Sequence, residues 1–187
     1  ARQAGDPALA RIERVVSRIR EVYGRKAIAV DLERDASPDV TDSSVFGPPF
    51  LPDGEEIPRD WRGEQLTLLA QVNLTQLPAN SVFPPAGILQ VWLECTEDDG
   101  AYGMGDPDFS PTAQKTFRVR FFPDGGTSLT SRPRAEVEAL YHPDCSQPPI
   151  EIDHWDDVTA LRPGFRIIHD APSPAGYDFE PLFVRTW

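Results

Sequence analysis

The sequence predicts an α+β fold, mainly an antiparallel sheet with an N-terminal amphipathic helix and long proline-rich loops. Three observations carry that prediction. One stretch of helical period opens the chain; after it strands follow strands with few helices between, which favours antiparallel pairing over a doubly wound sheet. Proline supplies 20 of the 187 residues, about twice the usual share of roughly 5%. Apolar residues still make up 40%, so the chain reads as folded and loop-rich.

Asp6-Pro7 reads as a helix cap with proline at the first helical position, and Gly24 as the stop, giving a helix over 7–24. Leu9, Ile12, Val15, Val16, Ile19 and Val22 form its apolar stripe, flanked by Arg11, Arg14 and Arg18. No Trp or Phe anchors the stripe, so we expect it to pack against the chain itself rather than a membrane. Ile28, Val30 and Leu32 then alternate along a strand.

The centre of the chain holds two strongly apolar strands. Leu66 to Asn73 follows the turn-rich run Phe46-Gly47-Pro48-Pro49-Phe50-Leu51-Pro52, and Gly87 to Glu94 follows Phe83-Pro84-Pro85. Both are apolar on both pleat faces for most of their length, which predicts central strands covered on either side. Trp61 is expected to close the intervening turn cluster over the core, and Asn73 or Thr75 to cap a short helical turn. From Thr96 to Gln114 the pattern gives way to a long acidic connection. In the strand from Thr116 to Phe122, Phe117, Val119 and Phe121 are expected to point inward and Arg118 and Arg120 to lie on the other face. Ala135 to Leu140 suggests a helical turn, Ile150 and Ile152 another strand, and Phe165, Ile167 and Ile168 a last one.

Four of these stretches, taken in order, resemble the motifs of the YwqG-like family. They are Phe46-Gly47-Pro48-Pro49-Phe50-Leu51-Pro52, Leu68-Leu69-Ala70-Gln71-Val72-Asn73-Leu74, Gly87-Ile88-Leu89-Gln90-Val91-Trp92 and Phe117-Arg118-Val119-Arg120. The resemblance implies a bacterial protein with the fold of that family and no established activity. Pro48 stands where the family motif has a second glycine, and proline cannot take a positive φ. The second module that family members often carry is not found, so the chain reads as a half-length member or an excised domain. We divide a single domain of 1–187 into the helix (7–24), a motif-bearing β core (45–124) and a C-terminal strand and loop region (125–187).

Charge excludes some functions. The chain carries a formal −12, a field that repels phosphate backbones and anionic lipid, so neither nucleic acid nor membrane is an expected partner. Residues 1–26 run the other way, with seven basic and three acidic side chains. Two cysteines, Cys95 and Cys145, show no Cys-x-x-Cys spacing. No apolar run is long enough to span a bilayer, and we expect a cytoplasmic protein.

Gln71 and Gln90 are the first candidates for chemistry, because a buried amide without partners costs on the order of 1 to 3 kcal/mol. Either they bond to each other or to backbone, or they form a recognition pair with Asn73, Trp92, Arg118 and Arg120. Asp98, Asp99, Asp106 and Asp108 do not fit a calcium-loop register and read as a solvated loop. His154 sits among Glu151, Asp153, Asp156 and Asp157, but strand alternation turns it from the nearest acids. No cofactor or metal is therefore expected. Nucleophile elbows and phosphate loops are absent. The leading reading is a binding or protein-interaction module, with exposed motif aromatics Phe50, Trp61, Phe83 and Trp92 as its surface unless they are core. The alternatives are an enzyme with a site near the central strands, or an immunity-like accessory protein that binds a basic partner through its acidic surface.

Overall fold

The computed structural model describes residues 7–34, 37–95, 113–124, 129–142 and 160–170. Its contacts divide the chain into two compact units, Ala1–Ala29 with Arg166–Trp187 and Val30–Phe165. The architecture is α+β, as the sequence predicts.

Helix α1 spans Pro7–Tyr23 and is followed at once by strand β1, Arg25–Glu33. Of its apolar stripe, Val15 and Ile19 are buried, whereas Leu9, Ile12 and Val22 are exposed. Gly24 has no left-handed φ. It is glycine because a Cβ there would strike the Arg20 carbonyl oxygen and the His169 ring. On β1, Val30 and Leu32 are both exposed. This strand pairs with the last one, β6, Arg162–Asp170.

The larger unit is built on a four-stranded antiparallel sheet in the order β2-β3-β4-β5. Its strands are β2 (Ser44–Val45), β3 (Thr67–Asn73), β4 (Ile88–Leu93) and β5 (Phe117–Phe122). A 3-10 turn over Leu74–Gln76 leaves β3, and a short helix α2 spans Arg134–Leu140. Asn73 caps the turn by accepting from the Thr75 N–H, as the sequence suggests.

Register assigns the faces. Gln71 lies opposite Gln90, and Leu68 opposite Trp92, with an irregularity between Leu68 and Ala70 that moves Leu69 out of the alternation. Gln90 lies opposite Arg120 and Trp92 opposite Arg118. One face therefore carries Leu68, Gln71, Gln90 and Trp92. Leu51, Ile57, Leu66 and Val137 cover it, with Tyr141 packed alongside. The ring of Tyr141 meets Trp92 edge-on at 5.9 Å, and its hydroxyl accepts from the Leu68 N–H.

Among the described residues the second face is covered at one end, by Val45, Phe46 and Leu161 packed with Leu69 and Ala70. Here two expectations fail. Val119 and Phe121 are not inward but 45% and 44% exposed, while Arg118 and Arg120 lie half-buried on the face of Trp92 and Gln90. The reason is that β5 is an edge strand of the four, so among the described residues alternation there separates a covered face from an uncovered one rather than core from solvent. Trp61 does not close over the core either: it is 63% exposed.

Strand β4 begins at a glycine for a geometric reason. Gly87 has φ 124°, and a Cβ there would lie 2.6 Å from the Phe121 ring and 2.8 Å from the Phe122 carbonyl oxygen. The Gly87→Ala variant should lose about 2 kcal/mol of stability, measurable as a lower urea midpoint with an unchanged slope.

Candidate functional site

The loop that follows β2 folds back onto the covered face of the sheet. Phe46 and Gly47 both take positive φ, 60° and 88°, so the turn places its left-handed residues before Pro48. Phe50 is thereby set over β3 and β4, where its backbone meets the two glutamines. Its N–H donates to Gln71 Oε1 at 2.7 Å, and its carbonyl accepts from Gln90 Nε2 at 2.8 Å.

The glutamines complete the network between themselves and their surroundings. Gln90 Nε2 also donates to Gln71 Oε1 at 2.8 Å, and Trp92 Nε1 donates to Gln90 Oε1 at 3.1 Å. Gln71 Nε2 donates to the carbonyls of Val40 and Asp42, at 2.9 and 2.8 Å. The amide orientations are fixed by chemistry. An indole only donates, so the oxygen of Gln90 must face it; its nitrogen then faces two acceptors, and the nitrogen of Gln71 faces two carbonyls. Gln71, Gln90 and Trp92 are all 0% exposed. Of the two alternatives the sequence left open for the pair, this geometry is the internal one: they bond to each other and to backbone.

Asn73 extends the same arrangement. Its Nδ2 donates to the Thr41 carbonyl at 2.8 Å, and its backbone N–H donates to Ser43 Oγ at 2.9 Å. Gln76, which sequence reading passed over, accepts from the Ser43 N–H and donates to Asp42 Oδ1, both at 2.9 Å. Together these side chains tie residues 40–43 to β3. Nothing but the frequency of amides in this stretch signals it in the sequence.

The arginines of β5 point along the same face but away from the glutamines' network. Arg120 Nη1 donates to the Glu56 carbonyl at 2.7 Å and lies 3.6 Å from the Glu55 carboxylate. Burial lowers the pKa of its guanidinium; Glu55 opposes that effect and Arg118 adds to it. Arg118 makes no ion pair among the described residues. Arg120 thus holds the 55–57 turn from one side, and Arg132 holds it from another by donating to the Glu55 carbonyl at 3.2 Å.

Beside that turn is a cavity of about 340 Å³ lined by Leu51, Ile57, Arg59, Arg132 and Leu140 among others. The Nε of Arg132 is buried with no hydrogen-bond partner among the described residues and lies 3.8 Å from Asp53, while Nη1 donates to Glu136 at 3.3 Å. A second charged cluster closes the sheet end, where Arg62 pairs with the buried carboxylates of Asp60 and Glu94. Asp60 is fixed in turn by the N–H groups of Arg62 and Glu64, at 2.8 and 2.9 Å.

Of the motif aromatics, Phe50 and Trp92 are core, while Trp61 and Phe83 are exposed. Cys95 is buried. The acidic run of Asp98, Asp99, Asp106 and Asp108, the acids around His154, and Cys145 lie outside the described residues. Among the described residues no group of three or more His, Cys, Asp or Glu is arranged to hold a metal ion. Among them, too, no helix is long and apolar enough to cross a membrane.

An antiparallel sheet with one face closed by a saturated amide network is thus the frame of this chain. Residues 43–185 match the family model described as domain of unknown function DUF1963, and the chain belongs to that family. No curated protein matches it.

The amide network sets a clear mutational expectation. Gln71→Leu strips the Phe50 N–H and two carbonyls of their partner, so the variant should lose about 3 kcal/mol. Thermal unfolding followed by circular dichroism should show a midpoint lowered by roughly 6 to 12 °C.

Proposed function

We propose that this protein is a binding module that engages another protein through the outward side of β5. The observation that carries the reading is the contrast between the sheet's two faces. One is closed by Phe50, Gln71, Gln90 and Trp92, whereas β5 keeps Val119 and Phe121 in solvent. Apolar side chains exposed beside a strand edge favour protein contact. Trp61 adds to this surface: its backbone N–H donates to the Lys115 carbonyl at 3.2 Å, which fixes it just before β5, and an exposed indole is a frequent anchor in interfaces.

Within its family we place the chain with the YwqG-like proteins, on the four ordered motifs. We assign it to a bacterial cytoplasm, a reading supported by the scarcity of cysteine in the sequence. The formal charge of −12 favours fast encounter with a partner of net positive charge.

The double variant Trp61→Ala, Val119→Lys tests the site. Both side chains are exposed, so stability should change by no more than about 0.5 kcal/mol each. A protein that co-purifies from the native host with the parent chain should be lost from the variant. Retention of the same proteins by the variant would refute the reading.

A second reading, a small-molecule site that serves an enzyme, is favoured by the cavity beside Arg132 with its buried, unbonded Nε. On this reading a small carboxylate or phosphate at about 100 times its dissociation constant raises the thermal midpoint by roughly 5 to 11 °C. That shift should vanish in Arg132→Met.

A further inference from the structure

The hydrogen-bond pattern of the sheet shows which backbone groups of β5 are turned outward. Glu94 donates to the Thr116 carbonyl at 2.9 Å, so Glu94 and Thr116 are a hydrogen-bonded pair. By alternation Trp92 with Arg118, Gln90 with Arg120 and Ile88 with Phe122 are bonded pairs too. The N–H and C=O groups of Phe117, Val119 and Phe121 therefore point away from β4. Among the described residues no strand meets them; a side chain meets the central one, the Val119 N–H donating to Gln114 Oε1 at 2.9 Å. Gln114 holds that position with φ 48°, a conformation unfavourable for a residue with a Cβ.

The side chains of β5 are segregated in the same register. Phe117, Val119 and Phe121 share the uncovered face, and Arg118 and Arg120 the other. Arg120 is engaged by Glu55 and the Glu56 carbonyl; Arg118 has no acid of its own among the described residues.

We propose that β5 accepts a fifth, antiparallel strand from a partner protein, and that this strand alternates apolar and acidic residues. The proposal rests on the binding-module reading and names the partner's chemistry. Outward amides at Phe117, Val119 and Phe121 make these the hydrogen-bonded positions. Residues opposite Arg118 and Arg120 then fall in the non-bonded pairs, where Cα atoms are about 4.5 Å apart and side chains are closest. An acid opposite Arg118 gains an unshared guanidinium, and apolar residues two apart cover Phe117, Val119 and Phe121. Trp61, fixed just before the start of β5, flanks the C-terminal end of the added antiparallel strand. In the register centred on Val119 a second copy of this chain is the poorer occupant. Two-fold pairing about Val119 sets Arg118 against Arg120, and like charges directly opposite are destabilising.

The probe is a peptide, Thr-Ile-Glu-Val-Glu-Ile-Thr with blocked ends, titrated onto the full chain while amide exchange is followed by NMR. Binding should slow exchange at Phe117, Val119 and Phe121. Replacing both glutamates with lysine, or N-methylating the amides that face β5, should abolish it. Arg118→Gln should weaken the parent peptide roughly two- to fivefold, and Arg118→Glu should turn preference toward the lysine peptide. Equal binding of the glutamate, lysine and N-methylated peptides, or no slowing at the three amides, would overturn the proposal. So would slow exchange at Phe117 and Phe121 in the unliganded chain, where Val119 alone has the Gln114 side chain as a partner among the described residues. The run Ile150-Glu151-Ile152-Asp153 carries the same alternation, and such a result would mean that the edge is filled from within. A host protein whose capture depends on Val119 but which leaves the three amides unprotected would refute strand addition and leave the binding module standing. Capture indifferent to Val119 would remove both.

Discussion

The four bonds that join Phe50, Gln71, Gln90 and Trp92 are the constraint on which the covered face depends. Two amides opposite one another on adjacent strands cannot be buried in an apolar layer unless every donor finds an acceptor. Gln71 offers two donors and one oxygen, and all are taken. That requirement dictates the loop. Phe50 must present both its N–H and its carbonyl to the sheet, and the chain reaches that pose through positive φ at Phe46 and Gly47, followed by prolines whose φ is fixed. The loop motif and the two strand motifs are therefore one structural unit, although Phe50 lies 21 residues from Gln71, and Gln71 lies 19 from Gln90, in sequence.

A closed face has a consequence for function. Every polar atom of Gln71 is engaged, so a ligand on this face must break buried bonds before it forms new ones, at a cost of about 1 to 3 kcal/mol for each group left unpaired. The chemistry open to a partner lies where polar or apolar groups remain unengaged: at the buried Nε of Arg132, and along β5. Arg120 shows how closely the two are linked. It leaves the strand, reaches the 55–57 turn and helps shape the wall of the cavity, which is why it is a poor candidate for recognition while its neighbour Arg118 is a good one.

The fold class, both central strands, the cap at Asn73 and the need of two buried glutamines for partners were legible because each follows from local pattern or from the cost of an unsatisfied amide. What could not be read was which strand lies at the edge. Phe117, Val119 and Phe121 alternate with arginines in the manner of any half-buried strand, and period alone does not say that the apolar side is the one left bare. Strand order is a property of long-range pairing, and a six-residue pattern contains none of it. Trp61 misleads for a related reason. Its size suggests core, but the turn is closed instead by Asp60, whose carboxylate binds two backbone N–H groups, so nothing draws the indole inward. Gln76 and Arg132 escaped notice because their roles depend on loops brought together from distant parts of the chain.

An open strand edge is hazardous, and β5 shows how the hazard is contained. Unpaired outward amides beside Val119 and Phe121 would recruit any extended chain. The Gln114 side chain meets the central amide, the Trp61 N–H meets the Lys115 carbonyl, and arginines at alternate positions oppose a second copy. These protections differ in permanence. The Trp61 contact belongs to a turn anchored by buried Asp60 and Glu94 through Arg62, whereas Gln114 is a single side chain on a strained backbone. Displacing it costs one neutral hydrogen bond, a net of about 1 kcal/mol, and the strain released offsets part of that. The edge is thus blocked against weak, unspecific pairing yet open to a strand that supplies several backbone bonds together with an acid for Arg118.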